Sequence, residues 1–260
     1  MNKNDYMYLD HAATTPMREV AFEAYKKTEM DAYANSSGGH ALSRKAKNIL
    51  EESREFIASC FGAAPNEITF TSGGTEADNW IIKTPFIDQE KIAELTTTQI
   101  EHEAVLASAE NVHKNGYKVN FVSCDHDGVT NIEDFKNSIN SNTLIASVMY
   151  ANNETGVIQP IKQITKIVKS YNSILFCDAV QAFGKVNISF NELGIDLMAI
   201  SAHKIGGFSG SGALVVNKDF NGLIPKVSGG GQEFGLRGGT ENLLGIISFG
   251  ECSSALKDLD

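Results

Sequence analysis

Ile195-Asp196-Leu197-Met198-Ala199-Ile200-Ser201 reads as a buried strand, and Ala202-His203-Lys204-Ile205-Gly206-Gly207 follows it directly with a lysine and two glycines. The apolar run carries Lys204 to the rim of a sheet. There partial burial lowers the pKa of its amine and frees it to attack a carbonyl. A lone lysine before glycines is usually a surface residue in a turn. Its neighbours in the rest of the chain decide between the two readings.

Outward from this strand, the sequence alternates. Glu67–Thr71 is a strand, turned into a helix by Ser72-Gly73-Gly74-Thr75-Glu76. Strands follow at 93–99, 117–123, 143–150, 173–177 and 210–216. Helices lie between them: Glu101-His102-Glu103 opens one, residues 131–139 form a second, and Pro160 begins a third. Two helices precede the first strand, from Pro16 to about Met30 and from His40 to about Cys60, and another closes the chain from Glu241. Seven strands alternating with helices predict an α/β fold, a three-layer αβα arrangement around a mostly parallel sheet. The continuous apolar run Thr143–Tyr150 suits a sheet covered on both faces.

Composition narrows the function. The 260 residues carry a formal net charge of −10, so a nucleic-acid surface is not expected. No run is apolar enough to span a bilayer, and the start MNKNDYMYLDHAATTP lacks the apolar core of a signal peptide. The four cysteines, Cys60, Cys124, Cys177 and Cys252, are irregularly spaced and fit a reducing compartment, so a cytoplasmic protein is expected. Each cysteine reads as a small buried hydrophobe.

In a parallel sheet, ligands bind beyond the carboxyl ends of the strands. Polar groups collect at those ends: Thr71 to Thr75, Glu101-His102, Asn152-Asn153, Asp178 with Gln181, and Ser201 to Lys204. Asp178 closes Ile174-Leu175-Phe176-Cys177, and a half-buried carboxylate there calls for a cationic partner. No second metal-ligating group stands beside it at ligand spacing, so no metal is expected. Taken singly, His102 is an ordinary core histidine and Asp178 a turn cap. Together, the groups fit a ligand with an anionic phosphate, a basic ring nitrogen and an aldehyde, which is pyridoxal phosphate. Gly74-Thr75 at a helix N-terminus, with Ser201 and His203, would take the phosphate. Asp178 would hold the ring nitrogen, Lys204 the aldehyde, and His102 would stack on the ring.

The segments YLDHAATTP, TSGGTEADN, EHEAV, ANNETGVIQPI, CDAVQAFGK, DLMAISAHKIGG and GGGQEFGLRGGTENLLGIISFG run in order across almost the whole chain. In them the chain resembles the class V, fold-type-I pyridoxal-phosphate enzymes, most closely the NifS-like cysteine desulfurases. The resemblance implies that Lys204 carries the cofactor and serves as the base at the substrate Cα, with His102 on the ring. It implies that Asn153 and Gln181 lie near the ring hydroxyl, and that Thr240 reaches the phosphate of a neighbouring subunit in a homodimer. It further implies L-cysteine as substrate, L-alanine as product, and sulfur passed through an enzyme persulfide to an acceptor or scaffold protein of iron–sulfur assembly or tRNA thiolation. By the same resemblance residues 1–15 belong to a small domain and 16–260 to the cofactor-binding large domain. The C-terminal small domain with the nucleophilic cysteine is expected to be absent, because none of the four cysteines matches that position. Another class V aminotransferase or lyase, or a non-catalytic cofactor-binding chain, stays open.

Overall fold

The computed structural model describes residues 7–87 and 89–256. The chain opens with helices α1 (Glu19–Asp31) and α2 (Ala41–Ser59), then enters the sheet at β1 (Ile68–Thr71). Helix α3 (Gly74–Lys83) leads to β2 (Glu94–Thr98), and α4 (Glu103–Lys114) to β3 (Lys118–Val122). Helix α5 (Ile132–Ser138) precedes β4 (Thr143–Ser147), and α6 (Ile161–Ser170) precedes β5 (Ile174–Asp178). A short α7 (Phe190–Leu193) leads to β6 (Leu197–Ser201), β7 (Gly212–Val216) and α8 (Leu243–Ser254).

The seven strands form one sheet in the order β1-β7-β6-β5-β4-β2-β3. Only β7 runs against its neighbours, β1 and β6. Burial alternates along the central strands and so explains the two covered faces. Leu175, Cys177, Met198, Ile200, Ala213 and Val215 point into one core with α2, α6 and α8. Phe176, Leu197, Ala199 and Leu214 point into the other, with Trp80 of α3 and Val105 of α4. The three-layer αβα fold is therefore the observed one.

Two expectations shift on physical grounds. Helix α1 begins at Glu19 and not at Pro16. The backbone before it is committed elsewhere: Thr15 N donates to His203 O at 3.0 Å and Arg18 N to Gly206 O at 2.9 Å. Cys60 is half-buried at the end of α2, with its Sγ 3.3 Å from both Phe56 O and Ser253 O. Of the expected small-domain segment, residues 1–6 lie outside the described residues, as do residues 257–260 at the other end.

Candidate active site

The carboxyl ends of β1, β4, β5 and β6 surround a cavity of about 260 Å³. Small-molecule pockets run to roughly 300–1,000 Å³, so this one suits a single ring with substituents. Its wall contains nine of the residues singled out from sequence: Gly74, Thr75, His102, Asn153, Asp178, Gln181, Ser201, His203 and Lys204. A larger cleft, about 400 Å³ between the end of α2 and residues 183–188, has neither carboxylate nor histidine in its lining. Chemistry and not volume marks the site.

Each group has a local cause for its position. Helix α3 starts at Gly74, so its free N–H groups and positive dipole end face the cavity. Glycine is required there, since a Cβ on Gly74 would lie 2.6 Å from Val180 Cγ2. Across the loop, a Cβ on Gly212 would lie 2.6 Å from Gly73 Cα and 2.8 Å from Ile200 O, so β7 carries glycine where it meets the turn. His102 is the N-cap of α4, and its Nδ1 accepts from Ala104 N at 3.1 Å. That bond leaves Nε2 to carry the proton of the neutral ring.

Asp178 is 5% exposed, deeper than its sequence position suggests, and its Oδ1 accepts from Val180 N at 2.9 Å. Burial pushes its pKa up, while the Val180 amide, His102 and Lys204 pull it back. Lys204 is half-buried, and desolvation lowers its pKa against the opposing pull of Asp178 and Asp10. This is the direction the strand-end position predicts. His203 is also pushed down, by desolvation first and then by Lys204 and Lys185.

A strap from the chain's start closes the rim. Lys204 Nζ donates to Ala12 O and, at 2.8 Å, to Ala13 O. Gln181 Nε2 donates to Ala12 O at 2.7 Å, and Thr14 Oγ1 is 3.0 Å from His203 Nδ1. Lys185 Nζ donates to Gln181 Oε1 at 2.6 Å, which orients the amide. Asn153 donates to Glu154 Oε1 at 2.7 Å beside the cavity.

Thr240 lies apart, exposed in a small cleft with Ser72, Gly210 and Arg237. Sequence reasoning missed Asp78, which lines the cavity at 1% exposure. The available signal was its register: Asp78 lies one turn beyond Gly74 on the inward face that Ala77 and Ile81 also occupy. Met149 and Ala151, which also line the cavity, were missed as ordinary strand-end apolar residues.

The pattern of the family described as Aminotransferase class-V matches residues 7–260. The chain belongs to that family. Among curated relatives it is similar to the cysteine desulfurase IscS of Dictyoglomus turgidum, 41% identical over 246 residues, which are 94% of this chain and 62% of that protein. The IscS of Clostridium botulinum is 40% identical over 249 residues, with 95% and 62% covered. This class-V chain thus spans about 62% of the length of those relatives. Among solved structures, a NifS-like protein superimposes with a TM-score of 0.93 at 36% identity, covering 97% of this chain and 70% of that one. SspA in complex with cysteine superimposes with a TM-score of 0.92 at 35% identity, covering 95% and 72%.

Proposed function

We propose that this chain is the pyridoxal-phosphate-binding part of a cysteine desulfurase, and that its cavity holds the cofactor. The observation that carries the reading is the shared cavity: an amine, a buried carboxylate, an imidazole and a helix N-terminus meet where a sheet of this class binds ligands. The donor set fits the group. Lys204 supplies an amine of lowered pKa for the aldehyde, and Asp178 a carboxylate for the ring nitrogen. The α3 N-terminus at Gly74-Thr75, with Ser201 and His203, supplies donors for the phosphate. Gln181 and Asn153 would face the ring hydroxyl, and His102 the ring plane. When bound, the cofactor supplies an electron sink next to the substrate Cα.

The residues of the chain do the rest. Asp178, held by the Val180 amide, keeps a negative charge against the ring nitrogen. Desolvation of Lys204 favours the neutral amine, which can move the Cα proton. The strap 12–15 covers the rim and limits water. The net reaction proposed is L-cysteine to L-alanine, with the sulfur taken by an enzyme thiol as a persulfide. Among the cavity-lining residues there is no cysteine, and Cys177 and Cys252 are buried with pKa values pushed up. The accepting thiol is therefore a group other than these two.

The proposal extends to a homodimer, in which exposed Thr240 serves the partner subunit's phosphate site, and to a sulfur-acceptor or scaffold protein in iron–sulfur assembly or thiolation. It places residues 16 onward in the cofactor-binding domain, with residues 1–15 as a segment of a small domain, in a cytoplasmic protein. No helix of the described residues is long and apolar enough to cross a membrane. L-Cysteine-dependent formation of alanine by the cofactor-loaded protein tests the reading. With dithiothreitol added as the thiol that takes the sulfur, alanine and sulfide in equal amounts are expected, and yellow, loaded protein that forms neither would defeat it.

A further inference from the structure

Asp78 and Asp178 line the cavity, and a third buried carboxyl, Glu101, lies behind its lining, close enough for the three to repel one another. Asp78 comes from α3, Glu101 from the turn between β2 and α4, and Asp178 from the end of β5. All three are buried, at 1%, 5% and 5% exposure. Asp178 is the one whose pKa neighbouring basic groups, His102 and Lys204, pull back down. Glu101 Oε1 accepts from Thr98 Oγ1 at 2.6 Å and from Met149 N at 2.9 Å. Its Oε2 has no hydrogen-bond partner among the described residues, and neither does Asp78 Oδ1. An ionised carboxylate left bare in a dry site is costly, whereas a carboxylic acid is tolerated there.

We propose that Asp78 and Glu101 are positioning residues that remain protonated at neutral pH and reserve the single negative charge of the cavity floor for Asp178. The use of that charge, against a ring nitrogen, rests on the function proposed above; the allocation of protons does not. Two neutral acids beside one carboxylate keep it compact and desolvated. A second ionised group would repel the charge at Asp178 and compete for His102 and Lys204.

The electrostatics agree with the geometry. Burial pushes Asp78 well above the ordinary carboxylate range, and Asp178 and Glu101 repel its charge further. Glu101 is pushed from 4.5 to about 8, by burial first, against its bonds from Thr98 and Met149 and with repulsion from Asp178. The neighbouring Cys177 thiol is pushed up by burial and by the same two carboxyls, so it adds no charge. The titratable groups set against Glu101 are thus Asp78 from α3 and Cys177 and Asp178 from β5, with His102 its neighbour in the chain.

Infrared spectroscopy of the carboxylic-acid carbonyl stretch tests this on the full chain, first without cofactor. Expected are bands of protonated buried acids at neutral pH, one of which disappears as pH rises through about 8. Glu101→Gln should remove the titrating band and Asp78→Asn the other; near-ultraviolet circular dichroism of Trp80 reports that each amide variant is folded. Absence of any protonated-acid band at neutral pH in the unsubstituted chain overturns the proposal, whatever the variants do. Bands that survive both substitutions in folded protein also overturn it. The same protein is then incubated with pyridoxal phosphate and its visible spectrum followed with pH. A spectral step near pH 8 that is lost in Glu101→Gln connects the floor to the cofactor. No visible absorbance at all would defeat the proposed function while leaving the infrared result to stand or fall by itself.

Discussion

Strand β2 has a buried glutamate at each end, and the fold handles the two in opposite ways. At its start, Glu94 Oε2 accepts from Lys118 Nζ, Asn120 Nδ2 and Asn140 Nδ2, each at 3.0 Å. Burial works against that carboxylate, but the three donors overcome it and hold its pKa below the ordinary value. Just past the other end, Glu101 gets two neutral donors on one oxygen and none on the other, and its pKa rises to about 8. One sheet edge is satisfied; the other keeps polar groups uncompensated. Buried acids left without partners mark the carboxyl edge as the one with a demand beyond stability, and the amino edge shows that this chain can satisfy a buried carboxylate when stability is the only demand.

The sharpest way to break this contrast is at Asp178. Asp178→Asn should weaken pyridoxal-phosphate binding by about a hundredfold, because it removes one partner of a buried charge pair. Equilibrium titration of the visible absorbance measures it, and an unchanged affinity would deny the carboxyl edge its role. The pH dependence of stability separates the two glutamates. Glu101 is neutral in the fold and ionises near 4.5 when unfolded, so its contribution is full below 4.5 and is lost as pH rises to about 8. Glu101→Gln should therefore gain stability relative to the unsubstituted chain across that window, by at most about 5 kcal/mol at its upper end. Denaturant melts at a series of pH values check the slope. Glu94, with its lowered pKa, must slope the other way: its contribution is present at neutral pH and lost on acidification through the folded-state pKa. Asn140→Ala, which removes one donor to Glu94, should cost about 1 kcal/mol at neutral pH and less in acid, measured by the same melts.

The carboxyl edge was largely legible in the sequence, because a polar residue that ends an apolar run stands out: Asp178 after Ile174–Cys177, and Lys204 after the β6 run. Helix α2 was legible for the same reason, a sustained apolar stripe. What stayed hidden depends on contacts far apart in sequence. The reversed direction of β7 leaves no mark, since an apolar strand reads alike in both directions. The late start of α1 is set by bonds from Thr15 and Arg18 to the loop after β6, residues 188 positions away in the case of Thr15 and His203. Asp78 was masked because acidic residues are common near helix starts, and only the inward register gives it away. The partners of Glu94 come from β3 and from the turn before β4, a pairing that exists only once the sheet has formed.

Under the proposed function, the carboxyl edge presents one reactive amine to a bound aldehyde. Lys204 lines the cavity and Lys185 stands behind it, bonded to Gln181, and both have pKa values lowered by desolvation. Incubation with pyridoxal phosphate, reduction with borohydride and peptide mass spectrometry distinguish them directly. The result expected is a single modified peptide carrying the label on Lys204, and none in Lys204→Ala. Label on Lys185, label spread over surface lysines, or no label would contradict it.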